Sequence, residues 1–398
     1  MSRSPTSRSP DLDRLRQEGY SISLLSGNLV VSDIPFVTSE RVVARGRMVV
    51  PLDLSGDLTV APSRHHAWWI GGEPCDARGQ RLNAVIQAAM VYDLGDGLVA
   101  DHVLCNKPLG REFEDYYELV TAYVVLMQSH ATVIEPGVTP RTRRGPIVSE
   151  NPDTAFAYVD TATARAGTGA LAARLAGGSV GIVGLGGTGS YVLDLVAKTP
   201  VDHIHLFDGD TFDQHNAFRA PGAPSLAEIG ARRLKVDHFA AIYGRMHRGV
   251  VPHRCALDRR NIDLLDELDF VFICVDDRSS KRLVIERLEL TGKSFIDVGM
   301  GLVSTVTGLI GTLRVTTSTP TMRAHLRDHI SLSCDAPEDP YASNIQVADL
   351  NALNAALAVL RWKRLLGFYL DGEGEHQSLF DPSANLLLNA ENEASSRQ

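Results

Sequence analysis

Short runs of apolar residues alternate with helix-forming segments from about Ser179 onward, and this alternation constrains the fold more than any other feature of the sequence. The runs SVGIVG, HIHLF and DFVFICV are nearly unbroken by polar residues, whereas GSYVLDLVAKT and LKVDHFAAIYGRM between them carry apolar residues at helical spacing. Strands that are continuous apolar runs are typical of parallel sheets covered on both faces. The pattern therefore predicts a doubly wound, mainly parallel α/β sheet, followed by a long helix in LNALNAALAVLRWKRLLGFY.

The first part of the chain has a different pattern. In NLVVSDIPFVTSERVVARGRMVVPLDL, apolar and polar residues alternate and β-branched residues are enriched, which is typical of strands. A helical pattern over residues 115–127 follows, and then the linker-like stretch EPGVTPRTRRGP. We expect an N-terminal α+β domain of unknown role over residues 1–150, with residues 1–12 disordered. We expect a second domain over residues 151–398, with an Ala-rich helix in TATARAGTGALAARLA and a C-terminal helix and tail.

Composition excludes several classes of function. A net charge of −9 disfavours non-specific binding to nucleic acid, and no segment has the roughly 18 apolar residues of a membrane span. The five cysteines form no CxxC pair, so a structural zinc site is not expected, and reduced thiols in a cytoplasm fit best. The run His65-His66-Ala67-Trp68-Trp69 suggests a metal or an aromatic platform, although core packing with surface histidines is the commoner explanation.

A glycine turn lies between the first apolar run of the second domain and the following helix. Such a turn lets backbone N–H groups approach a phosphate at a helix N-terminus, as in Rossmann-like folds. Asp208 ends the next apolar run, at the distance where an acidic residue meets ribose hydroxyls. Both an enzyme that binds a nicotinamide dinucleotide and an enzyme that binds ATP would have these features. The turn consists of Gly184, Leu185, Gly186, Gly187, Thr188 and Gly189.

Further polar residues favour an ATP enzyme over a nicotinamide enzyme. They form a D-x-D, an N-x-x-R, a lysine, and an aspartate after an apolar strand; in this sequence they are Asp208 and Asp210, Asn216 and Arg219, Lys235, and Asp276. In this order they resemble the ThiF/MoeB/HesA family and the adenylation domains of ubiquitin-activating enzymes, over about half of the chain. Two positions depart from the family: Ala220 stands in place of a glutamine, and an Asp-Asn pair is replaced by Asp276-Asp277.

The resemblance implies Mg-ATP, and the chemistry of adenylation explains the residue types independently. Charge develops on phosphate oxygens, so Arg219 and Lys235 are expected to stabilise it, while Asn216 positions phosphate or substrate groups. Asp276, at the carboxyl end of a strand, is expected to hold Mg²⁺. Each residue also has a structural explanation as a turn former, a helix cap or a solvated surface charge. A hydride-transfer enzyme needs none of the set beyond Asp208.

Some members of the family capture the adenylated carboxylate on a cysteine. Cys334, in HISLSCDAPEDPYASNIQ, lies at the position in the chain where several such enzymes place their nucleophile, although an incidental loop cysteine is an equal alternative. Cys274 is expected in the core, and Cys255 is a weaker candidate. The family's arginine from an N-terminal helix has no secure match; Arg165, Arg141, Arg143 and Arg144 are candidates, or a partner subunit donates it.

The resemblance implies, as the leading hypothesis, an activating enzyme of a ubiquitin-like conjugation system. In bacteria, the genes of such systems are associated with antiviral defence operons. The hypothesis implies a ubiquitin-like β-grasp protein as substrate, a conjugating-enzyme partner and a homodimer, with no nucleic acid and no membrane. The alternatives are a ThiF-like adenylating enzyme in sulfur transfer, peptide modification or tRNA-base dehydration without a thioester, an NAD-dependent oxidoreductase, and a catalytically dead scaffold.

Overall fold

The computed structural model describes residues 9–142, 154–330 and 345–390. The chain divides into two compact units. The first contains residues up to 153 together with Tyr158–Ala173, and the second contains Thr154–Ala157 and the chain from Arg174 onward. None of the helices in these described ranges combines the length and apolar character that a membrane crossing requires.

The first unit is an antiparallel sheet with helices. Its elements are α1 (Pro10–Gln17), β1 (Ser21–Leu25), β2 (Asn28–Val37), β3 (Val43–Pro51), β4 (Leu54–Ser55), β5 (Leu58–Thr59), β6 (His66–Ile70), β7 (Ile86–Asp93), β8 (Val99–Cys105), α2 (Tyr116–Ile134), α3 (Thr161–Ala166) and α4 (Gly169–Ala172). The main sheet has the strand order β1-β2-β3-β6-β8-β7. The α2 helix begins where the Asp115 carboxylate accepts the N–H of Glu118, and its apolar face packs on β2.

Two expectations for this part of the chain are wrong. Residues 9–12 are not a disordered tail, because α1 begins at Pro10 and Leu12 is fully buried in the core; residues 1–8 lie outside the described residues. The Ala-rich segment is not one helix, because Gly167 adopts the left-handed conformation (φ 65°) and ends α3 before α4 begins.

The second unit carries the alternating pattern. Its elements are a 3-10 helix (Ala173–Leu175, beginning at the unit boundary), β9 (Ser179–Val183), α5 (Gly187–Val196), β10 (His203–Phe207), α6 (Gln214–Ala217), α7 (Leu226–Gly230), α8 (Lys235–Tyr243), β11 (Val250–His253), a second 3-10 helix (Ile262–Glu267), β12 (Phe270–Ile273), α9 (Arg278–Leu290), β13 (Ser294–Thr305), β14 (Gly308–Ser318), α10 (Leu326–His329), α11 (Ala348–Leu365), β15 (Gln377–Asp381) and β16 (Leu386–Ala390).

The described strands of this unit form one sheet in the order β11-β10-β9-β12-β13-β14-β15-β16. The strands from β11 to β13 are parallel, and β14, β15 and β16 are added antiparallel; β13–β14 and β15–β16 are hairpins. The Rossmann-like, doubly wound and mainly parallel sheet predicted from the sequence is confirmed, with an antiparallel extension that the apolar pattern alone did not reveal.

Alternate side chains of the strands enter two different cores. Ile182 and Phe272 pack with apolar residues of α5, α8 and α11 on one face, while Val183 and Ile273 pack with α9 on the other. A sheet covered on both faces must carry apolar residues at every strand position, which is why these strands are continuous apolar runs in the sequence. The chain leaves β9 towards β10 on one side and later returns to β12 on the other side. The strand order therefore reverses beside β9, and in open α/β sheets ligands bind at such a switch point, outside the carboxyl ends of the strands.

Candidate functional site

Three adjacent strands end level with one another at the switch point. Val183, the last residue of β9, is the register partner of Phe207 on β10 and of Ile273 on β12. The residues that follow these three positions are the glycine turn (Gly184–Gly189), Asp208 and the segment that contains Asp276. The structure therefore brings together, at one edge of the sheet, groups that are far apart in the sequence.

The glycine turn depends on the absence of side chains at particular positions. Gly184 has φ 90°, in the left-handed region that favours glycine. A β-carbon on Gly189 would lie 1.9 Å from the carbonyl oxygen of Gly184, so the tight packing of the turn requires glycine there. Gly186 differs, because a β-carbon there would meet no atom within 4 Å among the described residues. The backbone at Gly186 is thus open to approach, directly before α5, whose first N–H groups have no partner within the helix.

Asn351, on α11, is a site residue that the sequence analysis missed. It is fully buried, accepts the Thr188 hydroxyl at 3.0 Å and donates through Nδ2 to the carbonyl oxygen of Arg219 at 3.3 Å. One side chain therefore connects the glycine turn to the loop that carries Arg219. A sequence signal existed: Asn351 and Asn354 are three residues apart on an otherwise apolar helix face, and both are fully buried. Buried amides must be hydrogen-bonded, and such a pair indicates contacts with backbone or ligand.

Asp208 organises the end of β10. One carboxylate oxygen accepts the N–H of Leu185 in the glycine turn at 2.7 Å, and the other accepts the N–H of Asp210 at 2.8 Å. Lys235, the first residue of α8, is buried with Nζ 3.6 Å from Asp208 and 2.7 Å from Asp210. Asp208 is buried, whereas 76% of the Asp210 side chain is exposed. The predicted aspartates and lysine thus form one charged cluster beside the turn.

Asn216 lies on the short helix α6, next to this cluster, and Arg219 lies on the turn that follows α6. The side-chain oxygen of Asn216 accepts the N–H of Asp213 at 2.9 Å, so this buried residue fixes its own turn. The backbone of Arg219 is fixed by its N–H bond to Asn216 and by Asn351. Its guanidinium forms no ion pair with any described residue, and its buried Nε has no hydrogen-bond partner among them. A half-buried cation with an unsatisfied donor is prepared to bind an anion.

The neighbours Asp276 and Asp277 have different environments. The Asp277 carboxylate accepts the N–H of Ser280 and the hydroxyl of Ser279, so it caps α9, and these hydrogen bonds lower its pKa. Asp276 is exposed after the carboxyl end of β12. Capping α9 is therefore the function of Asp277, and the structural explanation weighed for both aspartates applies to the second of them.

A buried ion cluster fixes the helix that follows Asp276. Asp297 is fully buried on β13, in register with Ile273, and lies 2.6 Å from Nζ of Lys281 on α9 and 2.5 Å from the guanidinium of Arg314 on β14. Because both partners are charged and hydrogen-bonded, the cluster holds α9 against the sheet. Next to it, Cys274 is partly buried and packs against the core, and burial raises the pKa of its thiol, which disfavours a nucleophilic thiolate.

Of the remaining predicted residues, three are not described and two belong to the first unit. Cys334, Arg143 and Arg144 lie outside the described residues. Arg165 and Arg141 belong to the first unit, where Arg165 pairs with Asp53 at 3.1 Å and Arg141 pairs with Glu18 at 3.0 Å.

Comparison with known protein families agrees with this geometry. Residues 160–366, more than half of the chain, match the model of the ThiF family. The chain belongs to the ThiF family. This confirms the predicted family and supports ATP-dependent adenylation of a substrate carboxylate by the ThiF region. Residues 10–161 match the model of a domain of unknown function, DUF6791.

Several solved structures are similar to about half of this chain. The microcin C7 biosynthetic enzyme MccB in complex with N-formylated MccA is 15% identical, with a TM-score of 0.45, over 55% of this chain and 66% of that chain. Escherichia coli MccB with ATP is 17% identical, with a TM-score of 0.42, over 55% and 65%. PaaA is 16% identical, with a TM-score of 0.43, over 56% and 67%. The chain thus spans about two thirds of these proteins. The comparison with curated proteins gave no match.

Proposed function

We propose that this chain is an activating enzyme that uses Mg-ATP to adenylate the C-terminal carboxylate of a ubiquitin-like, β-grasp protein. Membership of the ThiF family supports the adenylation step. The observation that carries the assignment of the site is Arg219, whose buried Nε lacks a partner among the described residues, while its backbone is tied to the glycine turn through Asn351.

The glycine turn and the adjacent cations fit a triphosphate. The open backbone at Gly186 and the N-terminus of α5 supply N–H groups, and the buried ammonium of Lys235 supplies positive charge beside them. In this proposal the phosphates lie over the turn and are contacted by its four glycines, which are Gly184, Gly186, Gly187 and Gly189.

The carboxylates at the end of β10 fit the ribose. Asp208 keeps free lone pairs after accepting two backbone N–H groups, and Asp210 is exposed. We therefore assign the ribose hydroxyls to Asp208 and Asp210. Asn216 has its oxygen engaged by Asp213, so its amide N–H₂ group is the part that would contact phosphate or substrate.

The reaction requires charge stabilisation more than proton transfer. An oxygen of the substrate carboxylate bonds to the α-phosphorus, and the bond to pyrophosphate breaks. Arg219 and Lys235 would stabilise the negative charge on the phosphate oxygens during this exchange. Asp276 would hold Mg²⁺, which when bound neutralises part of the phosphate charge. Asp276 is proposed for this role because it is exposed directly after the carboxyl end of β12, where the family pattern also places the metal-binding aspartate. Asp277 is assigned to the cap of α9.

We further propose that Cys334 captures the adenylated carboxylate. Its thiolate would attack the acyl carbon and AMP would leave, which forms a thioester. This step rests on the position of Cys334 in the sequence and on the family resemblance.

The first experiment is ATP–pyrophosphate exchange by the full chain with candidate ubiquitin-like proteins. We expect exchange only when a partner with a free C-terminal carboxylate is present, and a strong reduction for Arg219→Met. Measurable ATP binding without exchange for any partner would contradict the proposed activity.

The thioester step needs a separate readout. Mass spectrometry after incubation with Mg-ATP and the partner should detect an adduct on Cys334 that dithiothreitol releases. Cys334→Ala should keep the exchange and lose the adduct, whereas Cys255→Ser, a matched thiol control, should keep both. If Cys334→Ala retains full product formation, the enzyme adenylates without a thioester, as in sulfur transfer or peptide modification.

The proposed partners follow from the same reading of the family. We propose a homodimer and a separate conjugating enzyme that receives the thioester, and we propose that the first unit recognises the protein substrate. Light scattering of the full chain tests the dimer. Substrate-dependent turnover by residues 179–398 at the rate of the full chain would reject the role of the first unit.

A further inference from the structure

Three metal-ligating side chains of the first unit lie together outside the site described above. His65, His66 and Cys105 each offer one ligand atom, and these atoms all lie within 4.8 Å of one another. His66 and Cys105 are direct partners in the antiparallel pairing of β6 with β8, so their side chains share one face of the sheet. His65 directly precedes β6, and its ring lies 4.2 Å from the ring of His66, centroid to centroid. All three residues are half-buried.

A buried tyrosine holds the backbone of this cluster in place. The hydroxyl of Tyr123, on α2, donates to the carbonyl oxygen of His65 and accepts the N–H of Asn106 at 2.7 Å. Tyr123 is almost fully buried, so α2 ties the segment before β6 to the segment after β8. The ligand-bearing residues at the two strand ends are therefore fixed relative to each other, which lowers the entropic cost of binding an ion.

We propose that His65, His66 and Cys105 form a binding site for a transition-metal ion of the zinc class. Two imidazoles and a thiolate suit zinc and similar ions, whereas magnesium and calcium prefer oxygen ligands. In a tetrahedral zinc site, ligand atoms are roughly 3.3–3.6 Å apart, so side-chain rotations that close the present separations by about 1 Å complete the geometry. Binding would release the proton of the Cys105 thiol to solvent.

The surroundings of the cluster also fit a metal. An oxygen of Glu112 lies 3.9 Å from Nδ1 of His65, and 56% of that side chain is exposed. Glu112 pairs with Lys107, and a rotation of its side chain would bring a carboxylate oxygen to the cluster as a fourth ligand; otherwise a water molecule would fill that position. The lack of CxxC pairs does not argue against this site. His66 and Cys105 are 39 residues apart in the sequence, and the pairing of β6 with β8 brings them together.

The test is a metal titration of the full chain, first stripped with a chelator and kept reduced without added thiols. Cobalt(II) should bind with about one equivalent per chain and produce a thiolate-to-cobalt charge-transfer band that zinc(II) then removes. Cys105→Ser should lose the band, and His66→Gln should weaken zinc binding by at least about tenfold. Zinc should raise the melting temperature of the wild-type chain but not that of Cys105→Ser.

Matched controls separate this site from general metal binding. Cys255→Ser removes a half-buried thiol of the second unit, and His130→Gln removes a half-buried imidazole of the first unit. Both should keep the band and the affinity. The proposal is overturned if the wild-type chain binds no stoichiometric cobalt, if Cys105→Ser keeps the band, or if Cys255→Ser removes it. Circular dichroism checks the fold, and His65→Asn replaces any variant that does not fold.

Discussion

The side chain of Asn351 occupies the space that a β-carbon on Gly187 would need: such a carbon would lie 2.0 Å from Nδ2 of Asn351. The two residues are 164 positions apart, yet α11 and the first turn of α5 touch at this point. Gly187 is thus required for helix packing, and Gly186, one residue earlier, is required only if something approaches the open backbone there. A substitution at Gly187 therefore tests the stability of the fold, whereas a substitution at Gly186 tests the binding of a ligand.

Gly187→Ala should destabilise the second unit. The new methyl group would force Asn351 or α11 to move, and overpacking of this kind costs about 1–3 kcal/mol. Urea denaturation measures the loss in the free energy of unfolding. Gly186→Ala is the matched control: its stability should stay within about 0.5 kcal/mol of wild type, while its affinity for ATP falls, because the methyl group fills the space over the turn. Equal stability of the two variants would show that the contact with Asn351 does not constrain the turn.

Arg219→Met should impair adenylation without affecting the fold. Its guanidinium has no ion pair among the described residues to lose, so the stability should stay within about 0.5 kcal/mol of wild type. Loss of a charged donor at the reacting phosphate should lower the exchange rate by about 10²–10³-fold. Lys235→Met should differ, because it also leaves buried Asp208 without its cation and should lower the free energy of unfolding by up to about 3 kcal/mol. An Arg219→Met enzyme with full exchange activity would remove Arg219 from the site.

Asp276→Asn and Asp277→Ala should affect different properties, the Mg²⁺ requirement and the stability respectively. Asp277→Ala removes the cap of α9 and should cost about 1 kcal/mol of stability. Asp276→Asn should raise the Mg²⁺ concentration required for half-maximal exchange. A Mg²⁺ titration of both variants, with thermal unfolding alongside, distinguishes the two roles. If only Asp277→Ala alters the Mg²⁺ dependence, the metal role belongs to the second aspartate.

The sequence predicted the parts of the site that local patterns encode. The apolar runs located β9, β10 and β12, and the ends of these strands placed the glycine turn, Asp208 and Asp276 at one edge. It did not predict Asn351 as a contact of Gly187, since no local periodicity reports which helix packs on a turn. The same limit applies to His66 and Cys105, because their proximity depends on strand register across the intervening β7 segment. Gly167 shows that composition alone does not locate the end of a helix. The Ala-rich segment favoured one continuous helix, but this glycine ends α3.

A pair of histidines should make the stability of the second unit depend on pH. Nδ1 of His205, on β10, lies 2.9 Å from Nε2 of His253, on β11, and the rings are stacked. Burial, and secondarily His253, lower the pKa of His205 from 6.5 to about 4. Burial also lowers the pKa of His253. The hydrogen bond between the rings requires that one nitrogen keep its lone pair, so protonation of both rings would break it.

The sign of the dependence follows from linkage. Between pH 6.5 and about 4 the unfolded chain binds a proton at residue 205 that the folded chain does not, so stability falls as the pH is lowered through this window. The contribution of His205 should reach up to about 1 kcal/mol per pH unit. Urea denaturation at pH 7 and pH 5 should therefore show a smaller loss for His205→Gln than for wild type. His215→Gln, at an exposed position, should lose as much as wild type. A His205→Gln chain with the wild-type pH dependence would mean that both rings accept protons freely in the folded state.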